Sequence, residues 1–235
     1  MIKCELITHT PNPDNVVATS ARLCYSDNNI DELLETFKND NSKLDNFINK
    51  LNDLGHLSPF EHVTFTFGVE GVSRTLSHQL VRHRIASYSQ KSQRYVNEHN
   101  FNYIIPPKIE ANEDTKEMYK ELMKNINGVY QSLVALNIPK EDARYVLPNA
   151  TETKLIMTFN ARSLLNFFSL RCCTRAQWEI REMAYQMLTE VKKVAPLLFK
   201  KAGAFCKSKG YCQEGNMSCG IAPVLNELLI NNKKE

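Results

Sequence analysis

The sequence predicts a single α/β (mixed α+β) domain, a mixed sheet flanked by helices. Three observations point there. Val63, Phe65, Phe67 and Val69 alternate with Thr64, Thr66 and Gly68, the period of a half-buried strand. Residues 113–137 carry apolar side chains at helical spacing over a length no ordinary strand reaches. No internal repeat, low-complexity segment or evident linker interrupts the 235 residues, and a hydrophobic fraction of 43% supplies one sizeable core.

Residues 2–7 read as the first strand. Ile30, Leu33, Leu34 and Phe37 fall at helical spacing, as do Leu44, Phe47, Ile48 and Leu51, and Gly55 stops the second of these helices. Residues 56–62 form a connecting loop before the strand at 63–69. A helix is expected from Val72 to His83, with residues 82–94 leaving its C-terminal end. Phe101, Tyr103 and Ile105 suggest a strand stopped by Pro106 and Pro107. The long helix at 113–137 carries Met118, Leu122, Ile126, Val129 and Leu133 on one face. A short helix at 140–145 precedes Pro148, and residues 155–159 form a strand. Residues 163–170 are helical with Leu164, Leu165 and Phe168 inward. Thr174-Arg175-Ala176-Gln177 has the form of a capping box opening a helix with Ala176, Ile180, Met183, Met187 and Val191 on one stripe, closed near Pro196. The domain is expected to span 1–200. A cysteine- and lysine-containing tail follows at 201–235, loosely structured from Gln213.

A formal net charge of +3 is too small to imply nucleic-acid binding by itself. The first residues lack an apolar signal-peptide core, and no apolar run reaches membrane-spanning length, so a cytoplasmic protein without membrane contact is expected. Seven cysteines, an odd number, then read as thiols rather than a disulfide framework.

The densest chemistry lies at residues 82–94. Arg82, His83, Arg84, Lys91 and Arg94 alternate with Ser87, Tyr88, Ser89, Gln90 and Ser92, and no Asp or Glu occurs from Gly71 to Asn97. Uncompensated guanidinium forks among hydroxyls call for an anion, and phosphate suits them best. A second acid-free stretch, Thr153 to Trp178, holds Lys154, Arg162, Arg171 and Arg175. Arg162 and Asn166, four apart, share a helix face, where capping or ion pairing competes with ligand binding as their role. His56, Glu61 and His62 lack the spacing of a helical zinc motif and read as hydrogen-bonding residues. Cys206, Cys212 and Cys219 sit among glycines without a CxxC pair, so no metal is assigned to them. Cys172 and Cys173, beside Arg171, read as inert thiols rather than nucleophiles. No GxGxxG, GxxxxGK[ST] or HExxH motif is present, so a nucleotide cofactor would be gripped by side chains.

The spacing RHRxxSxxxxSxR, met by Arg82, His83, Arg84, Ser87, Ser92 and Arg94, resembles the signature of the flavin-dependent thymidylate synthases. His56 with Pro59-Phe60-Glu61-His62, then Asn160-Ala161-Arg162-Ser163 with Asn166, Leu170-Arg171 and Ala176-Gln177-Trp178-Glu179 resemble that family in the same order. The resemblance implies reductive methylation of dUMP to dTMP. The carbon donor would be 5,10-methylenetetrahydrofolate, the reductant NADPH and the hydride carrier FAD. It implies a homotetramer with active sites between subunits. Ser58, Arg82, His83, Arg84, Gln90, Asn160, Arg162 and Asn166 would contact FAD. Gln79, Arg82, Gln90, Ser92, Arg94, Arg144 and Arg171 would contact dUMP, with Arg171 as the catalytic residue polarising the pyrimidine. Two positions depart from the pattern: Gln90 stands where some members carry a carboxylate, and Arg175 where some carry His. The competing reading is a nucleic-acid-binding module that stacks bases on Tyr88 and Tyr95.

Overall fold

The computed structural model describes residues 1–38 and 40–224. Its strands are β1 (Lys3–His9), β2 (Thr64–Ser73), β3 (Ala86–Gln90) and β4 (Glu152–Asn160), in the spatial order β1-β2-β4-β3. Bonds from Thr10 to Thr64, and an ion pair from Lys3 to Glu70, hold residues near opposite ends of β1 at a nearly constant index sum. The pairs Thr66–Thr158 and Arg74–Thr151 do the same for β2 and β4. Both pairings are therefore antiparallel. Between the strands lie α1 (Pro13–Leu23), α2 (Ile30–Glu35), α3 (Asn41–Leu54), α4 (Arg74–Leu80), α5 (Pro107–Glu110), α6 (Glu113–Ala135) and α7 (Lys140–Ala143), and after β4 come α8 (Ala161–Arg171), α9 (Trp178–Val194) and α10 (Phe205–Lys209). Sheet and helices together make the expected mixed α/β architecture. No described helix is long and apolar enough to cross a membrane.

The chain divides into two compact units. One comprises Met1–Lys3, Gly68–Arg82 and Tyr88–Ile156; the other comprises Cys4–Phe67, His83–Ser87 and the described chain from Met157. The second unit is built on aromatic rings. Phe65, Phe67, Phe159, Phe167, Phe168 and Phe199 are fully buried. Their edge contacts run from Phe65 to Phe199 (5.4 Å between centroids), on to Phe168 and Phe167, and end on His83, 4.9 Å from Phe167. The Asp14 carboxylate, at the start of α1, accepts the amides of Leu197 and Leu198 at 3.3 and 3.0 Å and ties this unit's first helix to the chain beyond α9.

The first unit buries Val69, Val72, Leu76, Leu80, Phe101, Met123 and Tyr130. Gly71 adopts φ +71, and a Cβ there would stand 2.5 Å from the Met1 carbonyl oxygen, so only glycine fits this point of β2. Ser73 then caps α4, its side chain accepting the Leu76 amide at 3.0 Å.

Several expectations are corrected. The helix expected from Val72 starts two residues later, because β2 continues to Ser73. Residues 58–62 form a 3₁₀ turn instead of an irregular loop, with Pro59 in its first turn. Residues 86–90, expected to trail from a helix, form β3. The strand expected at 101–105 is reduced to one bridge, Tyr103 to Thr151. α9 opens at Gln177, whose side chain accepts the Glu179 and Ile180 amides; Thr174 does not cap it. On α6 the apolar face read from the sequence is largely exposed: Met118, Leu122 and Val129 are 67%, 53% and 49% accessible, whereas Met123 and Tyr130 are buried.

Candidate active site

The residues singled out from sequence fall into two sets, one in each unit. In the second unit, Asn160 ends β4 and caps α8, its Oδ1 accepting the Ser163 amide at 2.8 Å, which leaves its Nδ2 to donate elsewhere. One turn on, Arg162 and Asn166 stand together on the exposed face, as their spacing requires. Arg162 pairs with Glu61 of the 3₁₀ turn that begins at exposed Ser58. Arg84 is exposed and has no acidic partner among the described residues.

Arg171 closes α8. Its Nε donates to His83 Nε2 at 3.0 Å. A guanidinium only donates, so Nε2 carries the lone pair and the ring proton sits on Nδ1. Burial, and then the Arg171 charge, push the His83 pKa down to about 4, and the imidazole is neutral at neutral pH. Phe167 packs its edge against the same ring. Arg171 is thus half-buried and fixed through Nε. Its two terminal nitrogens are not committed to any carboxylate among the described residues.

In the first unit, Gln79 lies half-buried on α4 and exposed Arg82 follows its end. Tyr88 lays its hydroxyl on the Leu80 carbonyl at 3.1 Å, tying β3 back to α4, and burial raises its pKa. Gln90 donates Nε2 to Thr153 Oγ1 on β4 at 3.2 Å, and Ser92 Oγ accepts the Arg94 amide at 3.2 Å. Arg94 bonds Glu141 through Nε and Nη2 at 3.0 and 2.9 Å, and Arg144 Nε donates to the Glu141 carbonyl at 3.1 Å. These bonds gather Ser92, Arg94 and Arg144 at one place.

The expectation that nothing neutralises the cations of 82–94 is therefore corrected in part. Glu98 takes Lys91 at 2.8 Å and Glu141 takes Arg94, and in the second acid-free stretch Glu61 takes Arg162. Tertiary pairing across 47 and 101 residues lies beyond any local count of charge. Arg82 and Arg84 keep no acidic partner among the described residues. Sequence reasoning missed Thr153, Glu98, Glu141 and Arg74, none of which stands in a recognisable motif. Among the described residues no three His, Cys, Asp or Glu groups are arranged to hold a metal. Cys173, Cys206 and Cys212 instead line a cavity of about 260 Å³ beside Arg171 and Arg175.

The donor chemistry suits a flavin dinucleotide. Arg84 offers an unneutralised guanidinium fork, Ser58 a hydroxyl and Asn166 an amide, all exposed and all hydrogen-bond donors of the kind a pyrophosphate accepts. The family model described as thymidylate synthase complementing protein matches residues 5–197. Proteins named flavin-dependent thymidylate synthase are similar over nearly the whole chain. That of Clostridium tetani is 50% identical across 97% of both chains, and that of Geobacter sulfurreducens 51% identical across 97% of both. That of Saccharolobus solfataricus is 43% identical over 88% of this chain and 78% of its own. The chain belongs to the flavin-dependent thymidylate synthase family. As a member it is an enzyme of thymidylate synthesis that uses a flavin and acts on small molecules.

Proposed function

We propose that the enzyme methylates dUMP to dTMP with 5,10-methylenetetrahydrofolate as carbon donor, NADPH as reductant and FAD as flavin. The observation that carries the mechanism is the Arg171–His83 pair. Uracil C5 is a weak nucleophile. Withdrawing electron density toward O2 and N3 would make C6 a better hydride acceptor, and a rigid cation would stabilise the negative charge that the ring, C5 included, then carries. Arg171 suits that task because it does not titrate, its Nε is already fixed, and its terminal nitrogens can meet a planar acceptor edge. A neutral His83 orients it without adding a competing charge. Arg82, Ser92, Arg94 and Arg144 would hold the nucleotide, with Gln79 and Gln90 as hydrogen-bonding partners. Ser58, Arg82, His83, Arg84, Gln90, Asn160, Arg162 and Asn166 would hold FAD, which when bound supplies hydride transfer. No cysteine is given a nucleophilic role, and buried Cys172, its pKa pushed up to about 12, suits none.

A homotetramer with active sites between subunits completes the proposal. The exposed apolar stripe of Met118, Leu122 and Val129 on α6 supports an assembly that covers it. The test is spectroscopic and chemical. Purified protein should show an oxidised-flavin band that NADPH bleaches anaerobically at a rate altered by dUMP, and adding methylenetetrahydrofolate should yield dTMP. Protein that takes up no flavin and forms no dTMP rejects the proposal.

A further inference from the structure

Gln90 ends β3, at one edge of the sheet, and is half-buried. The chain is fixed on both sides of it. Two residues earlier, Tyr88 is tied to Leu80 through its hydroxyl. One residue later, the Lys91 amide donates to the Lys154 carbonyl on β4 at 3.0 Å, and Lys91 Nζ pairs with Glu98 at 2.8 Å. What the strand leaves open is the Gln90 side chain, long and polar, whose rotamer freedom is costly to remove. Thr153 supplies the constraint. It precedes Lys154 on β4, in the same register, and is 3% exposed. Branching at Cβ restricts its χ1, so its Oγ1 is a fixed point. Gln90 Nε2 donates to that oxygen at 3.2 Å. The Gln90 amide makes no other bond among the described residues. Its Oε1 and the second hydrogen on Nε2 are therefore left for a ligand, an acceptor and a donor in one plane.

We propose that Thr153 is a positioning residue for the reaction: its buried hydroxyl sets the plane and direction in which Gln90 presents its free amide edge to dUMP. Thr153 acts through Gln90 alone, and the proposal rests on the reading above that Gln90 contacts the nucleotide. A side chain already held in its bound geometry loses less freedom on binding than one that must first be ordered. The contribution of Thr153 is thus to affinity, and it belongs in KM rather than kcat.

The test is a double-mutant cycle on flavin-saturated full-length enzyme, read as KM for dUMP and kcat for dTMP formation. Thr153→Val keeps the shape and the strand preference and removes the acceptor. It should raise KM for dUMP about threefold to tenfold, the range of one lost hydrogen bond, with kcat within about twofold. Thr153→Ser keeps the oxygen and should return KM to within about twofold of wild type. Combined with Gln90→Ala, Thr153→Val should add nothing, because the amide it positions is gone. An unchanged KM in Thr153→Val overturns the proposal. Losses that simply add in the double variant, or a Ser variant as poor as Val, also overturn it and mark a role in strand packing. Should Thr153→Val not fold, Thr153→Ala takes its place in the cycle with the same expectations. An unchanged KM in Gln90→Ala removes the nucleotide contact of Gln90 and the proposal with it, a result distinct from a failure of Thr153 alone.

Discussion

In the proposed mechanism a guanidinium held by a neutral ring meets the substrate, so truncating Arg171 should act on turnover more than on affinity. Arg171→Ala is expected to lower kcat at least 100-fold, about 3 kcal/mol, by comparison with the loss of an oxyanion-type donor. Steady-state dTMP formation measures it, and near-normal turnover would remove Arg171 from the mechanism. His83 adds a pH signature. Its pKa falls from 6.5 to about 4 on folding, so between those values the unfolded state binds the extra proton. Stability therefore rises with pH across that window and is lost as pH drops toward 4. Urea midpoints measured from pH 7 to 4 should fall more steeply for wild type than for His83→Gln. The residues of this site were legible as a motif, but their partners were not: nothing in a local window announces that Glu141 will meet Arg94, or that Asn160 will spend its oxygen capping α8.

Individual elements show where sequence patterns carry information. α9 reads correctly because Ile180, Met183, Met187 and Val191 form a heavy apolar stripe, all buried. α1 escapes notice because its buried positions are Pro13, Val17, Ala18 and Ala21, small or β-branched, and its N-cap Asn12 sits left-handed with no side-chain cap bond. β3, Ala-Ser-Tyr-Ser-Gln, has almost no apolar alternation; pairing with β4 makes it a strand. α6 has two apolar stripes, and periodicity alone does not say which one this chain buries. The junction of β2 and α4 offers a direct check. Gly71→Ala should destabilise by more than about 1 kcal/mol, through the left-handed backbone and the clash with Met1. Ser73→Ala should cost about 1 kcal/mol for a lost cap. Denaturant midpoints rank the two.

Across the whole molecule, the exposed face of α6 and the thiols make separable predictions. Leu122→Glu with Val129→Glu should shift the mass measured by light scattering from that of the proposed tetramer to smaller species while the isolated chain stays folded by circular dichroism. An unchanged mass would place the subunit contacts elsewhere. Half-buried Cys4 and buried Cys172 have pKa values raised to about 12, so both should resist thiol reagents at neutral pH. Exposed Cys24 and Cys219, the latter with a lowered pKa, should react first. Peptide mapping after brief alkylation distinguishes them.

The bonds from Asp14 to Leu197 and Leu198 also bear on how the chain is made. Their partners are separated by 183 and 184 residues, and the unit they close draws on the start, middle and end of the chain. During synthesis α1 meets α2, α3 and the 3₁₀ turn early, but Asp14 must wait for its partners until the ribosome has released α9 and the residues after it. The contacts that join this unit's first helix to the chain beyond α9 are thus post-translational, and loop closure over such distances slows folding relative to a locally connected helical bundle. A nascent chain halted before residue 197 should accordingly be protease-sensitive throughout residues 4–67 and engage general chaperones, and adding the next few dozen residues should protect it in a single step.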